Sequence, residues 1–240
     1  MDTTFFVQLA AILLFSVCFV HSWRTEGQRA AQQWFFIGFI YAVLIVTLLV
    51  VTGQIAYHRN MLVFGAAPSL TVMLFPGIFY IAYAIAKRIV EPTELRAMAY
   101  LIFALTPWLM LPLDALGIGA GWWFFPSESF SFLNGIPFYI PFAWGIAGAT
   151  FFLMLGRIRK IRFRGNGQFF AMIIAAPVAA ALTLVLIAIT QVLVDTIAVF
   201  GGTTILYAVL AILFLLFPLQ LFLNIPRLAN RKSKFKIHNS

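Results

Sequence analysis

Apolar residues recur along this chain in runs of about 20, the length at which an α-helix crosses the hydrocarbon core of a bilayer. A water-soluble domain cannot hide that much apolar side chain. With 63% hydrophobic and 10% charged residues, the chain lies far from globular usage, which is about 25% charged. The runs are continuously apolar and do not alternate with period two, which argues against a β-barrel. The sequence therefore predicts an all-α fold, a polytopic membrane helical bundle. Seven transmembrane helices are expected, over residues 3–22, 34–52, 64–86, 97–118, 136–156, 168–192 and 201–223. They form a single seven-helix domain, 1–226, followed by a basic tail, 227–240.

Lysine and arginine set the expected orientation. The loops after spans 1, 3 and 5 and the tail hold all of the 16 basic residues except Arg59. By the positive-inside rule the N-terminus is outside and the C-terminus cytoplasmic, in the cell membrane. A wrong number of spans would scramble this segregation, so the charges support seven. The net charge of +9 then reports orientation, and no nucleic-acid partner is expected. Beyond ordinary bias, Arg227, Arg231, Lys232, Lys234 and Lys236 in the tail suit anionic lipid headgroups. Cys18 is the only cysteine, so no intrachain disulfide forms. The first run is as long as a full span and follows Asp2 with no basic residue, which predicts a span and not a cleaved signal. Trp23 and Trp34 read as interfacial aromatics around the first loop. Thr93 reads as the N-cap of span 4.

Spacing suggests an internal repeat. Span 3 begins near Pro68 and reaches Arg88 after 20 residues; span 5 begins near Pro137 and reaches Arg157 after 20. Both run inward after an outer loop, so the repeat is parallel about the membrane normal. Pro107 and Pro112 fall inside span 4 and predict a bent helix.

Little in the chain points to chemistry. His21, His58 and His238 are the only histidines and fall at opposite faces and in the tail, so no metal site is expected. Gly165-Asn166-Gly167 is a turn without the strand or the Gly-Lys-Ser/Thr of a phosphate loop. No cofactor is predicted. The absence of lysine from every span removes the retinal Schiff-base class. Two acids lie in apolar sequence near the outer face, Asp114 and Asp195, with Glu128 in the outer loop. A carboxyl at the mouth of an apolar cavity can act as a general acid. Aromatic faces can stabilise a carbocation. From its residues alone Asp114 reads more as a hydrogen-bonded residue at a helix end than as an acid, and Asp195 reads mainly as structural.

Particular spacings carry a family resemblance. Gly121 and Trp123 follow Asp114 by seven and nine residues, and Trp144 follows Gly135 of Gly135-Ile136-Pro137 by nine. His21, Arg24 and Gly27 form one turn, and Thr52-Gly53 with Tyr57 another. In these features the chain resembles the carotenoid biosynthesis integral membrane proteins, which include the acyclic carotenoid hydratases. The likeness covers about residues 20–157. It departs at Val46, Met110 and Ile140, where the family has polar residues, and at Ala115, where it has proline. The resemblance implies acid-initiated hydration, or a related transformation, of an isoprenoid double bond. Asp114 would be the catalytic acid, with Trp122, Trp123 and Trp144 lining a substrate cavity walled by spans 2–5. Separately from the resemblance, Phe103 and Met110 precede Asp114 at helical spacing and are expected to add an apolar, substrate-binding wall. The alternative is a non-catalytic protein: a lipid or pigment binder, a carrier, or a membrane-complex subunit. Either way the expected partner is an isoprenoid or other hydrophobic small molecule.

Overall fold

The computed structural model describes residues 3–57, 63–64, 66–91, 93–126, 129–133, 135–163 and 166–237. Side chains are described between 5 and 216 within these ranges and at 218 and 219. His58, Arg59, Glu128, Arg164, His238 and the tail's basic side chains therefore lie outside the described residues. Among the described residues there are six helices, all long and apolar enough to cross a membrane. They are α1 (Thr3–Glu26), α2 (Gln28–Val51), α3 (Ser69–Ile89), α4 (Leu95–Gly119), α5 (Ile140–Lys160) and α6 (Gly167–Ile237). Three two-residue strand pairs close one end of the bundle, here the hairpin end. Arg24, Lys87, Arg88, Arg157 and Arg159 lie at the other, basic end, in the last turns of α1, α3 and α5.

Between α1 and α2 the chain reverses at one residue. Gly27 adopts φ +90°, a conformation that L side chains rarely take. Phe19 and Phe35, equally far on either side of it, meet with ring centroids 5.6 Å apart. The connection is tighter than the loop expected there, and Trp34 is correspondingly no interfacial residue. It is 1% exposed and donates its Nε1–H to the Pro76 carbonyl at 3.2 Å. Thr93 is not the N-cap of α4 either. Glu94 occupies that position, with no side-chain capping bond.

The spaced prolines mark a repeat of element order. After α2 come β1 (Ala56–Tyr57), β2 (Val63–Phe64) and β3 (Ala67–Pro68), then α3. After α4 come β4 (Trp123–Phe124), β5 (Ser131–Phe132) and β6 (Ile136–Pro137), then α5. In each copy the second and third strands form an antiparallel pair ending in proline, and a 21-residue helix follows. The first strands of the two copies pair with each other, Tyr57 opposite Trp123. Small residues let the helices pack closely, as membrane helices do. A Cβ on Gly148 of α5 would stand 2.7 Å from Thr106 Oγ1 of α4, and one on Gly38 of α2 would stand 3.0 Å from Pro76 Cβ of α3. α4 remains continuous through Pro107 and Pro112.

Where seven separate spans are expected, the last two form one helical element broken only at Gly202, with φ 73° and ψ 172°. Gln168 meets Gln33 at the basic end, and Gln191 meets Gln54 at the hairpin end. Those 23 residues of helix rise about 35 Å. A straight continuation would carry Phe214 about 28 Å past Asp195. Instead, Tyr207 packs on Phe138, and the Phe214 carbonyl accepts the Trp108 Nε1–H from the middle of α4 at 3.0 Å. The chain therefore bends sharply at Gly202 and its continuation lies back along α4.

Candidate functional site

Asp114 lies in the last turns of α4 and is 1% exposed. Trp144, in the first turn and a half of α5, donates its Nε1–H to Asp114 Oδ2 at 2.6 Å. The two meet because α4 ends and α5 begins at the same level, joined by the hairpin. The chain leaves α4 through Gly121, at φ +70°, and returns Trp123 onto the helix it has just left. The Trp123 indole lies so close to Gly117 that a Cβ there would stand 2.2 Å from the ring. The strand pairing then sets Tyr57 beside Trp123, with ring centroids 6.3 Å apart. Burial holds the Tyr57 hydroxyl above the usual phenol range, partly offset by the Thr71 hydroxyl, and the Asp114 charge pushes it the same way as burial.

Asp114, Trp123, Trp144 and Met110 border a single cavity with Tyr57, Thr71 and Phe75. Phe75 and Trp144 stand at equivalent places in the two copies, seven residues after Pro68 and Pro137. Their rings touch edge to face at 5.0 Å. The cavity is walled by α3, α4, α5 and the chain that follows α2, but its volume is only about 10 Å³. That is room for about one water molecule, and no isoprenoid enters it.

Two expected wall residues are elsewhere. Phe103 packs on α5 at Gly145, where a Cβ would stand 2.7 Å from its ring, because it lies two turns before Met110. Trp122 lies beside Trp123, ring centroids 6.1 Å apart, without reaching the cavity. Asp114 Oδ1 and the indole nitrogens of Trp122 and Trp123 have no hydrogen-bond partner.

Other polar side chains near this end are linked in a series, which leaves Asp195 Oδ1 and Thr71 Oγ1 without a hydrogen-bond partner. Tyr139 donates to Gln54 at 2.7 Å, Gln54 to Gln191 at 2.9 Å, Gln191 to Ser129 at 3.0 Å and Ser129 to Asp195 at 3.2 Å. That chain links the ends of α2 and α5 with α6 and the hairpin, and it ends on Asp195 Oδ2. His21 meets the Tyr80 hydroxyl at 2.8 Å at the basic end. Among the described residues no group of histidine, cysteine or carboxylate side chains could hold a metal ion.

A large open space is at the basic end. A groove of about 730 Å³ lies between α1, α2 and the start of α6. Phe15 and Phe19 of α1, Phe35, Phe36 and Phe39 of α2 and Phe169 of α6 form its walls; Arg29, Gln32, Gln33 and Asn166 form its polar end. Ligand pockets commonly have about 300–1,000 Å³ and such a mix of many apolar and few polar groups. Sequence reasoning passes over this groove. Its one signal is the helical spacing of Phe15 with Phe19 and of Phe35 with Phe39, which ordinary packing also produces.

Comparison of the chain with family models, with curated proteins and with solved structures finds no match.

Proposed function

We propose that this is an integral membrane protein whose work is to hold the hydrocarbon chain of a lipid in the groove between α1, α2 and α6. The observation that carries this reading is the groove itself. It is a space large enough for such a chain, it has six phenylalanines on its walls, and no carboxylate, histidine or thiol is among the described residues that line it. Binding chemistry is present there and reactive chemistry is not. The chain crosses the cell membrane seven times in this proposal, with its N-terminus outside and its C-terminus cytoplasmic. The bend at Gly202 and the segregation of basic residues support that topology. The groove's polar end then faces the cytoplasmic headgroup layer. Cysteines placed at Ser129 and Asn166 should label from opposite sides of the membrane, Ser129 from outside. A photoactivatable fatty-acid probe should attach to α1, α2 and the first turns of α6. Gln32→Trp at the groove mouth should abolish that labelling; labelling that persists or maps elsewhere would refute the reading.

A second reading keeps the resemblance to carotenoid biosynthesis proteins, with Asp114 as the acid that protonates an isoprenoid double bond. Its support is the meeting of Asp114, Met110, Trp123 and Trp144 at one cavity. It requires that cavity to open far beyond its present volume. Its test is Asp114→Asn, argued in the Discussion.

A further inference from the structure

We infer that the small cavity beside Asp114 holds one ordered water molecule, bonded to Asp114 Oδ1, Thr71 Oγ1 and Trp123 Nε1. The water fastens the hairpin end, whatever the groove at the basic end takes.

Three buried polar atoms border this cavity without a partner. Asp114, Thr71 and Trp123 line it and are 1%, 6% and 6% exposed. Asp114 Oδ1, Thr71 Oγ1 and Trp123 Nε1 make no hydrogen bond. Each has a local reason. Asp114 uses its other oxygen, Oδ2, to accept the Trp144 N–H. Thr25, Thr106 and Thr190 donate their hydroxyls to the carbonyl four residues back in their own helices. Thr71 is the third residue of α3, so the residue four back is Ala67 of β3, before the helix begins. Trp123 is held by its pairing with Tyr57 and its packing on Gly117. Its N–H lies near the Asp114 carboxyl, and the Thr71 hydroxyl lies near that of Tyr57, without either pair closing a hydrogen bond. Unpaired buried groups cost stability, and native interiors satisfy them with protein or with ordered water.

Size and chemistry both fit water. The cavity has about 10 Å³, the lower bound for one water molecule, and a buried water typically has about three polar partners. The partners here are of mixed kind. The indole only donates, the ionised carboxyl only accepts, and the hydroxyl does either. A cation would meet the Trp123 N–H and an anion the Asp114 carboxylate, whereas water accepts from the first and donates to the second. Leu74, Phe75 and Met110 close the apolar sides, which slows the water's escape. Thr71 belongs to the first copy of the repeat, and Asp114 and Trp123 belong to the second. The water therefore joins the two copies at the point where Phase-fixed helix ends and the β1–β4 pair converge.

The test uses the full-length protein and two measurements. In a crystal structure that resolves ordered water, one density peak should lie about 2.7–3.2 Å from Asp114 Oδ1, Thr71 Oγ1 and Trp123 Nε1. In detergent micelles with isotope-labelled tryptophan, the Trp123 indole N–H is assigned by its loss in Trp123→Phe. That N–H should show a cross-relaxation peak to water with the sign of a long-lived bound molecule. Thr71→Val and Tyr57→Phe each remove a hydroxyl that can relay the same signal, and the peak should persist in both. Its loss in either variant would assign the signal to a hydroxyl and overturn the water. An indole N–H with no peak to water, or a direct Trp123–Asp114 bond with no density between them, would overturn it too. Where a variant fails to fold, the density in the wild-type crystal decides.

Discussion

The two ends of the bundle put chemistry and space in different places. At the hairpin end a carboxyl, two indoles and a phenol converge, and the gap between them is about 10 Å³. At the basic end about 730 Å³ lies open, and the side chains around it are phenylalanines, amides and one arginine. A reacting acid needs a substrate within hydrogen-bond reach. The hairpin end, as it stands, admits none. A binding groove needs only shape and a few polar anchors, which the basic end has. The difference teaches that a carboxylate deep in an apolar bundle can be a fastener. Asp114 receives the Trp144 N–H and so locks the start of α5 to the end of α4.

The contrast is sharpest for the loss of one aromatic ring at each end. Trp144 is 3% exposed, touches Phe75 and bonds Asp114. Trp144→Ala should remove that packing and strand a buried carboxyl, costing about 3–5 kcal/mol. Phe15 faces the groove and keeps one close ring contact, with Phe35 at 5.0 Å. Phe15→Ala should cost about 1 kcal/mol and weaken retention of a bound lipid. Unfolding in detergent with increasing denaturant measures both. Equal losses would mean that the two ends are packed alike.

Gly117→Ala probes the tight end by addition. The new methyl would meet the Trp123 ring at 2.2 Å, inside any real contact. The indole must move, and with it the β1–β4 pair, so a loss of about 1–3 kcal/mol is expected. Tryptophan fluorescence should shift to the red as the ring leaves its buried site. A variant with wild-type stability and emission would show that Trp123 is free to move, and that the cavity beside Asp114 can widen.

Much of this was legible in the sequence, for reasons that separate the two ends. Span positions follow from hydropathy, because each helix must satisfy its own backbone in lipid. Pro68 and Pro137 mark the repeat because each closes a strand pair before a helix. Asp114 and Trp144 could be placed at one depth, since helix rise is fixed and both lie near the hairpin. Cavity volume was not legible: it depends on how Phe75, Met110 and Trp123 interlock, and composition is blind to that. Helical spacing alone puts Phe103 in that wall, whereas it lies against Gly145. The groove was invisible for the opposite reason. Its residues come from 15–39 and 166–169, and phenylalanine in a membrane helix looks the same whether it packs on protein or lines a gap.

Asp114→Asn makes the smallest structural change and bears most directly on the contrast. Asparagine keeps a side-chain oxygen that can accept the Trp144 N–H, and it loses only the carboxyl's capacity to carry a proton or a charge. If Asp114 is a fastener, the variant should lose about 1 kcal/mol, the difference between a charge-assisted and a neutral bond. Asp114→Leu, with no acceptor at all, should lose about 2–3 kcal/mol as the Trp144 donor is left buried and unpaired. The two variants together separate hydrogen bonding from acidity. If Asp114 is instead the acid of an isoprenoid hydratase, the wild-type protein should convert an acyclic polyene to a product heavier by one water. Asp114→Asn should then abolish that product with stability nearly intact. A protein that gives no such product, with the asparagine variant mildly weakened and the leucine variant more so, places Asp114 among the fasteners and leaves function to the groove.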